Sequence, residues 1–111
     1  MGFNSPEWAV ACIGGILYEA VVTGVYITNE PAACLYQATH CDAEVVVVET
    51  LDHLKRFTAN LDKLPRVKAF VVWGEEKLPD EFQGSQYFLW KDFLKLGSQI
   101  GDDVIQQRMD R

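Results

Sequence analysis

Apolar residues occupy nearly every side of the segment from Pro6 to about Glu19, where Trp8, Val10, Cys12, Ile13, Ile16, Leu17 and Tyr18 leave little polar face. A helix with that pattern expects cover all round. Its start is well marked. Asn4 or Ser5 can accept a hydrogen bond from an orphan N–H, Pro6 has the fixed φ suited to the first helical position, and Glu7 complements the positive end of the dipole. Val21 to Ile27 is β-branched and aromatic, which predicts a strand, with Thr28-Asn29 as its turn and the cap of the next helix. That helix runs over Glu30 to His40, with Ala33, Leu35, Tyr36 and Ala38 available for packing. Glu44-Val45-Val46-Val47-Val48 then forms an unalternating apolar run, the pattern of a central parallel strand buried on both faces.

Thr50 can cap a third helix, in which Leu51, Leu54, Phe57 or Thr58, and Leu61 recur at helical spacing before Leu64-Pro65; the opposite face is charged and carries His53. Val67 to Trp73 predicts another buried strand, and Gly74 to Asp80 a solvated loop. Gln86-Tyr87-Phe88-Leu89 suits a short edge strand, Trp90 to Leu96 a helix closed by Gly97, and Asp102 to Arg111 a terminal helix. The alternation gives an α/β fold: a partial open, mostly parallel sheet of about three main strands with flanking helices. Residues 1–111 form one partial domain, with 98–111 a weakly packed terminal helix. The first helix has no strand to feed it, so the βαβ pattern starts half a unit late and neighbouring structure is expected beside it.

Length and charge narrow the reading. A chain of 111 residues supports one core, and a fold of that size buries roughly two thirds of its unfolded surface. The net charge is −6 with ten basic residues scattered along the chain, which argues against nucleic acid as a partner. The apolar run from Trp8 to Val22 is interrupted by Glu19 and is short for a bilayer, so no membrane span or signal peptide is expected. Cys12, Cys34 and Cys41 are odd in number and lack a scaffold spacing, which predicts free thiols in a reducing compartment.

Candidate chemistry is sparse. Gly14-Gly15 lies inside the first predicted helix without the spacing of a phosphate-binding loop, so close helix packing is the preferred account. Cys34, His40 and Cys41 lack a fourth ligand at a recognised spacing; a packed thiol and a helix-end histidine are preferred to a metal site. His53 has no serine or cysteine at a motif that would make it a base. Ligands of open α/β folds bind beyond the carboxyl ends of strands, here Thr28-Asn29, Glu49-Thr50 and Gly74-Glu75, yet Asn29 and Thr50 more often cap helices. Trp8, Tyr26, Trp73, Tyr87 and Trp90 suit an apolar pocket or, with more weight, a core. No residue is assigned to catalysis, to a cofactor or to a metal.

Two stretches carry a resemblance. Gly2-Phe3-Asn4-Ser5-Pro6-Glu7-Trp8 followed by Thr23-Gly24-Val25-Tyr26-Ile27-Thr28-Asn29 is similar to the adenylate-forming acyl-CoA synthetases, most closely the bubblegum-type long-chain fatty-acid–CoA ligases. Glu30-Pro31-Ala32-Ala33-Cys34 continues it, as does Trp90-Lys91-Asp92-Phe93-Leu94-Lys95-Leu96-Gly97, and it fades after about residue 107. The likeness covers nearly the whole chain but a minor, N-terminal part of a full ligase. It implies ATP, Mg²⁺, CoA and a long-chain fatty acid for the full-length family, joined through an acyl-adenylate. The family's Ser/Thr/Gly-rich phosphate loop with its Lys, the acid for the ribose and the adenylating lysine have no counterpart here. Glu19-Ala20 departs from the small pair usual in the family, and a carboxylate there needs solvent or a partner. The expectation is therefore a fragment without catalytic activity or cofactors of its own, cytoplasmic or peripheral to a membrane. The alternative is a non-catalytic interaction module that uses the apolar first helix or the uncovered sheet edge for a protein partner or self-association; an independent small-molecule-binding domain ranks third.

Overall fold

The valine run forms strand β1 (Val45–Val48) and Ala69–Val72 forms β2; the third strand, β3, is the short Tyr87–Leu89. In the computed structural model, which describes all 111 residues, the three strands make one parallel sheet in the order β1-β2-β3. Val46 stands opposite Phe70 and Phe70 opposite Tyr87, so the register runs straight across. The helices are α1 (Pro6–Leu17), α2 (Pro31–His40), α3 (Leu51–Thr58), α4 (Trp90–Gly97) and α5 (Asp102–Met109), with single 3₁₀ turns at Leu61–Lys63 and Asp80–Phe82.

Period-two alternation divides the sheet into two faces. Val46, Val48, Phe70 and Val72 join Leu54 and Phe57 of α3 and Cys34 and Ala38 of α2 in the main core. Tyr87 packs against Phe70 and Phe82 at ring separations of 5.5 and 5.4 Å, which closes that core at the β3 edge. The opposite face carries α4, where Phe93 meets Phe88 edge-on at 5.6 Å. β2 is buried at all four positions. α1 stands farther out, and none of its residues is buried.

Local signals explain the helix starts. Ser5 Oγ accepts from Trp8 N at 3.2 Å and Thr50 Oγ1 from His53 N at 3.1 Å, each satisfying a donor that the first turn leaves free. α2 begins at Pro31 after Glu30, and Asn29 does not cap it with its side chain. Gly15 approaches Val22 closely, a Cβ there standing 2.8 Å from Val22 Cγ2, whereas Gly14 faces open space. Half of the glycine pair therefore serves the expected packing.

Three expectations are corrected. Val21 to Ile27 is not a strand: Val21 is 92% exposed and the segment is irregular. Its β composition joins no ladder; at its end the carbonyl of Ile27, and that of Asn29 just beyond it, accept instead from the Arg56 guanidinium of α3, Asn29 at 3.1 Å. The three strands are completed instead by Tyr87–Leu89, the stretch read as an edge strand. His53 does not lie on a solvated face; it is 7% exposed and faces inward beside Leu54 and Phe57. Leu61 belongs to a separate 3₁₀ turn rather than to α3.

Glu19, by contrast, finds partners. It adopts φ 66° just past α1 and receives Arg108 at 3.4 Å and Arg111 at 3.0 Å, while the Arg108 guanidinium lies 4.0 Å from the Tyr18 ring centroid. These contacts tie α5 to the end of α1, and their exposure to solvent keeps each weak.

Leu54 is fully buried between the sheet and α2. Leu54→Ala is expected to lower the unfolding free energy by about 2–5 kcal/mol through lost burial and a residual cavity. Tyr26→Ala, at a position 77% exposed, is expected to change it by about 0.5 kcal/mol or less. Urea titrations followed by tryptophan fluorescence measure both.

Candidate functional site

The carboxyl ends of β1 and β2 meet the start of the chain. Glu49 is the hub of this junction: its Oε1 accepts from Phe3 N at 3.1 Å, its carbonyl accepts from Gly74 N at 2.7 Å, and its own N–H donates to Met1 O at 3.0 Å. Glu75 Oε1 accepts from Leu51 N at 3.4 Å, so the Glu49-Thr50 and Gly74-Glu75 ends are brought together. Gly2 lies against the Trp73 indole, and a Cβ there would come within 2.8 Å of Glu49 Cβ. Gly74 likewise has no room for a side chain against the Glu49 carbonyl. These glycines serve backbone approach rather than a ligand.

Behind the junction sit Cys34, His53 and Arg56. Arg56 joins three elements, holding the Ile27 and Asn29 carbonyls and bonding Asp52 Oδ2 at 2.7 Å. Cys34 is fully buried and its Sγ donates to Asn29 O at 3.6 Å. Burial pushes the Cys34 thiol above its ordinary range, with the Arg56 charge and the Met1 amine opposing. The thiol therefore stays protonated at neutral pH and is a poor nucleophile. Burial lowers the pKa of His53, helped by Arg56 and opposed by Glu49 and Asp52. Its Nδ1 is buried without a hydrogen-bond partner.

This arrangement does not fit a nucleoside triphosphate. The two strand-end carboxylates, Glu49 and Glu75, are both committed to backbone amides, and phosphate recognition needs free N–H groups and cations there. Nor do His, Cys, Asp and Glu side chains converge in any group of three that could hold a metal. Cys41 is exposed at the end of α2, while His40 stacks on Tyr36 at 5.7 Å. All three cysteines are free thiols.

A second feature lies on the α4 face of the sheet. A hollow of about 590 Å³ separates α1 from the sheet, lined by Trp8 and Gly15 of α1, Val45 and Val47 of β1, and Trp73 and Trp90. Fifteen of its 19 lining residues are hydrophobic. Of the five aromatics singled out in the sequence, the three tryptophans line this hollow, Tyr87 packs in the core, and Tyr26 is exposed. The greater weight given to a core thus holds for Tyr87 and fails for the tryptophans, because α1 stands too far from the sheet to close over them. Met1 and Arg56 carry structural roles that the sequence pattern does not announce. The i,i+4 spacing of Asp52 and Arg56 was the available signal for the second, and nothing local marks the first.

Comparison with known proteins finds similar sequences. The chain is 39% identical to the long-chain-fatty-acid–CoA ligase ACSBG2 of Gallus gallus over 111 residues, 96% of this chain and 14% of that protein. It is 36% identical to ACSBG2 of Xenopus laevis, over 96% of this chain and 14% of the relative. It is 32% identical to the long-chain-fatty-acid–CoA ligase ACSBG1 of Homo sapiens, over 99% of this chain and 15% of the relative. The chain thus spans about one seventh of the length of the curated relatives it matches. No protein-family model and no solved structure matches it.

His53 generates a pH signature. The unfolded imidazole takes up its proton near 6.5, the folded one at a lower pH. Between those values the unfolded state binds more protons at this site, so the His53 contribution to stability rises with pH up to about 6.5 and is level above it, while the Met1 amine, whose pKa burial also lowers, adds a further rise toward 8.0. Denaturation midpoints measured from pH 5 to 8 are expected to show this slope in the parent chain, and His53→Gln is expected to flatten the part of it below about pH 6.5.

Proposed function

We propose that this chain, which is related over nearly its whole length to a segment of the bubblegum-type long-chain fatty-acid–CoA ligases, is a structural portion of such a ligase and does not catalyse ligation alone. The similarity along 96% of the chain to 14% of a relative carries the reading. The junction supports it: Glu49 and Glu75 serve backbone amides, Cys34 is protonated and enclosed, and His53 faces the core. None of them is free to position a phosphoryl group or stabilise its developing charge, the demands that acyl-adenylate formation makes of an enzyme. In the complete enzyme the segment would contribute a packed edge of the α/β domain, with long-chain fatty acid, ATP, Mg²⁺ and CoA bound by other parts.

A second reading is favoured by one observation, the apolar and uncovered surface shared by α1 and the β1 edge. Val10, Ile13 and Ile16 are exposed, and so is Val45. A contiguous apolar surface of this kind marks an interaction site, so the chain also reads as a non-catalytic module that acquires a polypeptide partner there.

Acyl-CoA formation separates the catalytic question from the interaction question. Purified chain incubated with palmitate, ATP, Mg²⁺ and CoA is expected to give no acyl-CoA above a protein-free blank by mass spectrometry. Sustained turnover would sink the claim of inactivity and leave the interaction reading to be judged by binding alone.

A further inference from the structure

Between α1 and α2 the chain runs through residues 21–29, which belong to no helix or strand. No backbone N–H from Val21 to Thr28 donates a hydrogen bond within the chain, and Asn29 N closes only a local turn onto Tyr26 O at 3.1 Å. Val25 and Ile27 lean on the main core, while Gly24, Tyr26 and Thr28 are exposed. The upstream part, from Ala20 to Gly24, forms one wall of the hollow between α1 and the sheet. Arginines fasten both ends. At the upstream end Glu19 receives Arg108 and Arg111, contacts that solvent weakens. At the downstream end Arg56 Nη1 donates to the carbonyls of Ile27 and Asn29, while Nη2 is held by Asp52 Oδ2 at 2.7 Å. A guanidinium fixed on one side by a carboxylate presents its other N–H groups in a preset direction, and this one is largely enclosed, so its two carbonyl bonds are the stronger fastening. Asn29 O also accepts from Cys34 Sγ at 3.6 Å, so the same carbonyl touches a fully buried thiol.

We propose that residues 21–29 form a strap that opens as a unit while the sheet, α2 and α3 stay folded, that Arg56 is its latch, and that opening uncovers the Cys34 thiol. A segment whose backbone N–H groups join no ladder gives up few hydrogen bonds when it moves. Opening therefore costs the two Arg56 bonds and the contacts of Val25 and Ile27, and little else. The rest of the fold keeps its own support, because Leu54, Phe57, Phe70 and Val72 form a core to which the strap adds only those two side chains. The strap also bends at both ends, at Glu19 with φ 66° and at the turn from Tyr26 to Asn29, where backbone can rotate without breaking a helix. Shut, it keeps the Cys34 thiol enclosed and unreactive; open, it admits thiol reagents to Cys34 and unwalls one side of the hollow.

The test follows two rates in the full chain: chymotrypsin cleavage after Tyr26, the strap's one aromatic residue, and iodoacetamide labelling of Cys34, with Cys12 and Cys41 as internal references. Both are read peptide by peptide by mass spectrometry. In urea below the global transition the two rates are expected to stay nearly constant, as a local opening requires; rates that climb in step with global unfolding would overturn the strap. Arg56→Met is expected to raise both by about tenfold or more, since two charge-assisted bonds are lost. Arg56→Lys keeps the charge without the fork and is expected to raise both nearly as far; should Arg56→Met fail to fold, this variant decides the question. Glu19→Gln, at the exposed fastening, is expected to change either rate by about twofold or less. Leu54→Ala is the control for general loss of stability and is expected to lower the urea midpoint while leaving the two urea-independent rates near the parent values. No acceleration from either Arg56 variant, or equal acceleration from Leu54→Ala, would overturn the latch. Faster cleavage after Tyr26 without faster labelling of Cys34 would overturn the link between the strap and the thiol.

Discussion

Burial of β2 at all four positions is the constraint from which the rest of the architecture follows. A strand enclosed on both faces and both edges leaves no backbone group for water, so it requires a hydrogen-bonded neighbour on each side and an apolar layer above and below. β1 and β3 supply the neighbours. α2 and α3 supply one layer through Cys34, Ala38, Leu54 and Phe57, and α4 supplies the other. Each requirement met for β2 is passed outward to its neighbours, and at β3 it ends in the aromatic group of Phe70, Phe82 and Tyr87. At β1 it does not end so neatly. Val46 and Val48 are enclosed by α2 and α3, while Val45 and Val47 face a hollow and an edge held only by Met1.

That asymmetry explains what could be read from the chain itself. The strand at Val45–Val48, the start of the amphipathic α3 and the capping group at Ser5 or Thr50 depend on local chemistry and are found where the pattern puts them. The valine strand, however, lies at the sheet edge with Val45 exposed instead of in the centre buried on both faces, because no strand pairs on its outer side. Val21 to Ile27 has equal strand composition but joins no ladder, and its last carbonyl, that of Ile27, is taken by Arg56 from 29 positions away. His53 was misplaced for the same kind of reason. Its neighbours Asp52 and Lys55 read as a charged face, yet helical rotation turns the imidazole toward the sheet, where burial depresses its basicity. Composition reports what a segment can do, and partners distant in sequence decide which of those things it does.

The candidate site was partly legible. The strand-end positions Glu49-Thr50 and Gly74-Glu75 do converge, as the rule for open α/β sheets requires, but the third expected end, Thr28-Asn29, lost its strand and became a docking point for Arg56. What converges is a mutual tie of backbone and carboxylates. Glu49 is bonded to residues from the chain start and from the end of β2, so its carboxylate stabilises the fold in the position where an enzyme of this class of architecture would present ligand groups.

Gly2 shows how one residue joins these levels. A Cβ at that position would collide with the Trp73 indole and the Glu49 side chain, so only glycine lets the chain pass between them. Passing there, it carries Met1 onto the β1 edge and delivers Ser5 to cap α1 within a few residues. The sequence from Gly2 to Trp8 is thus a strand-to-helix turn in its chemistry as well as its pattern: one end obeys the spacing of a parallel ladder and the other the capping of a helix. α1 begins at this turn, is tied at its far end to α5 through Glu19, and is separated from the sheet by the hollow along its length. The hollow between them, the exposed apolar side chains of α1 and the unpaired edge of β1 are parts of a single geometry. Filling the edge would supply side chains to the hollow, and a filled hollow would in turn give α1 an apolar layer to rest on.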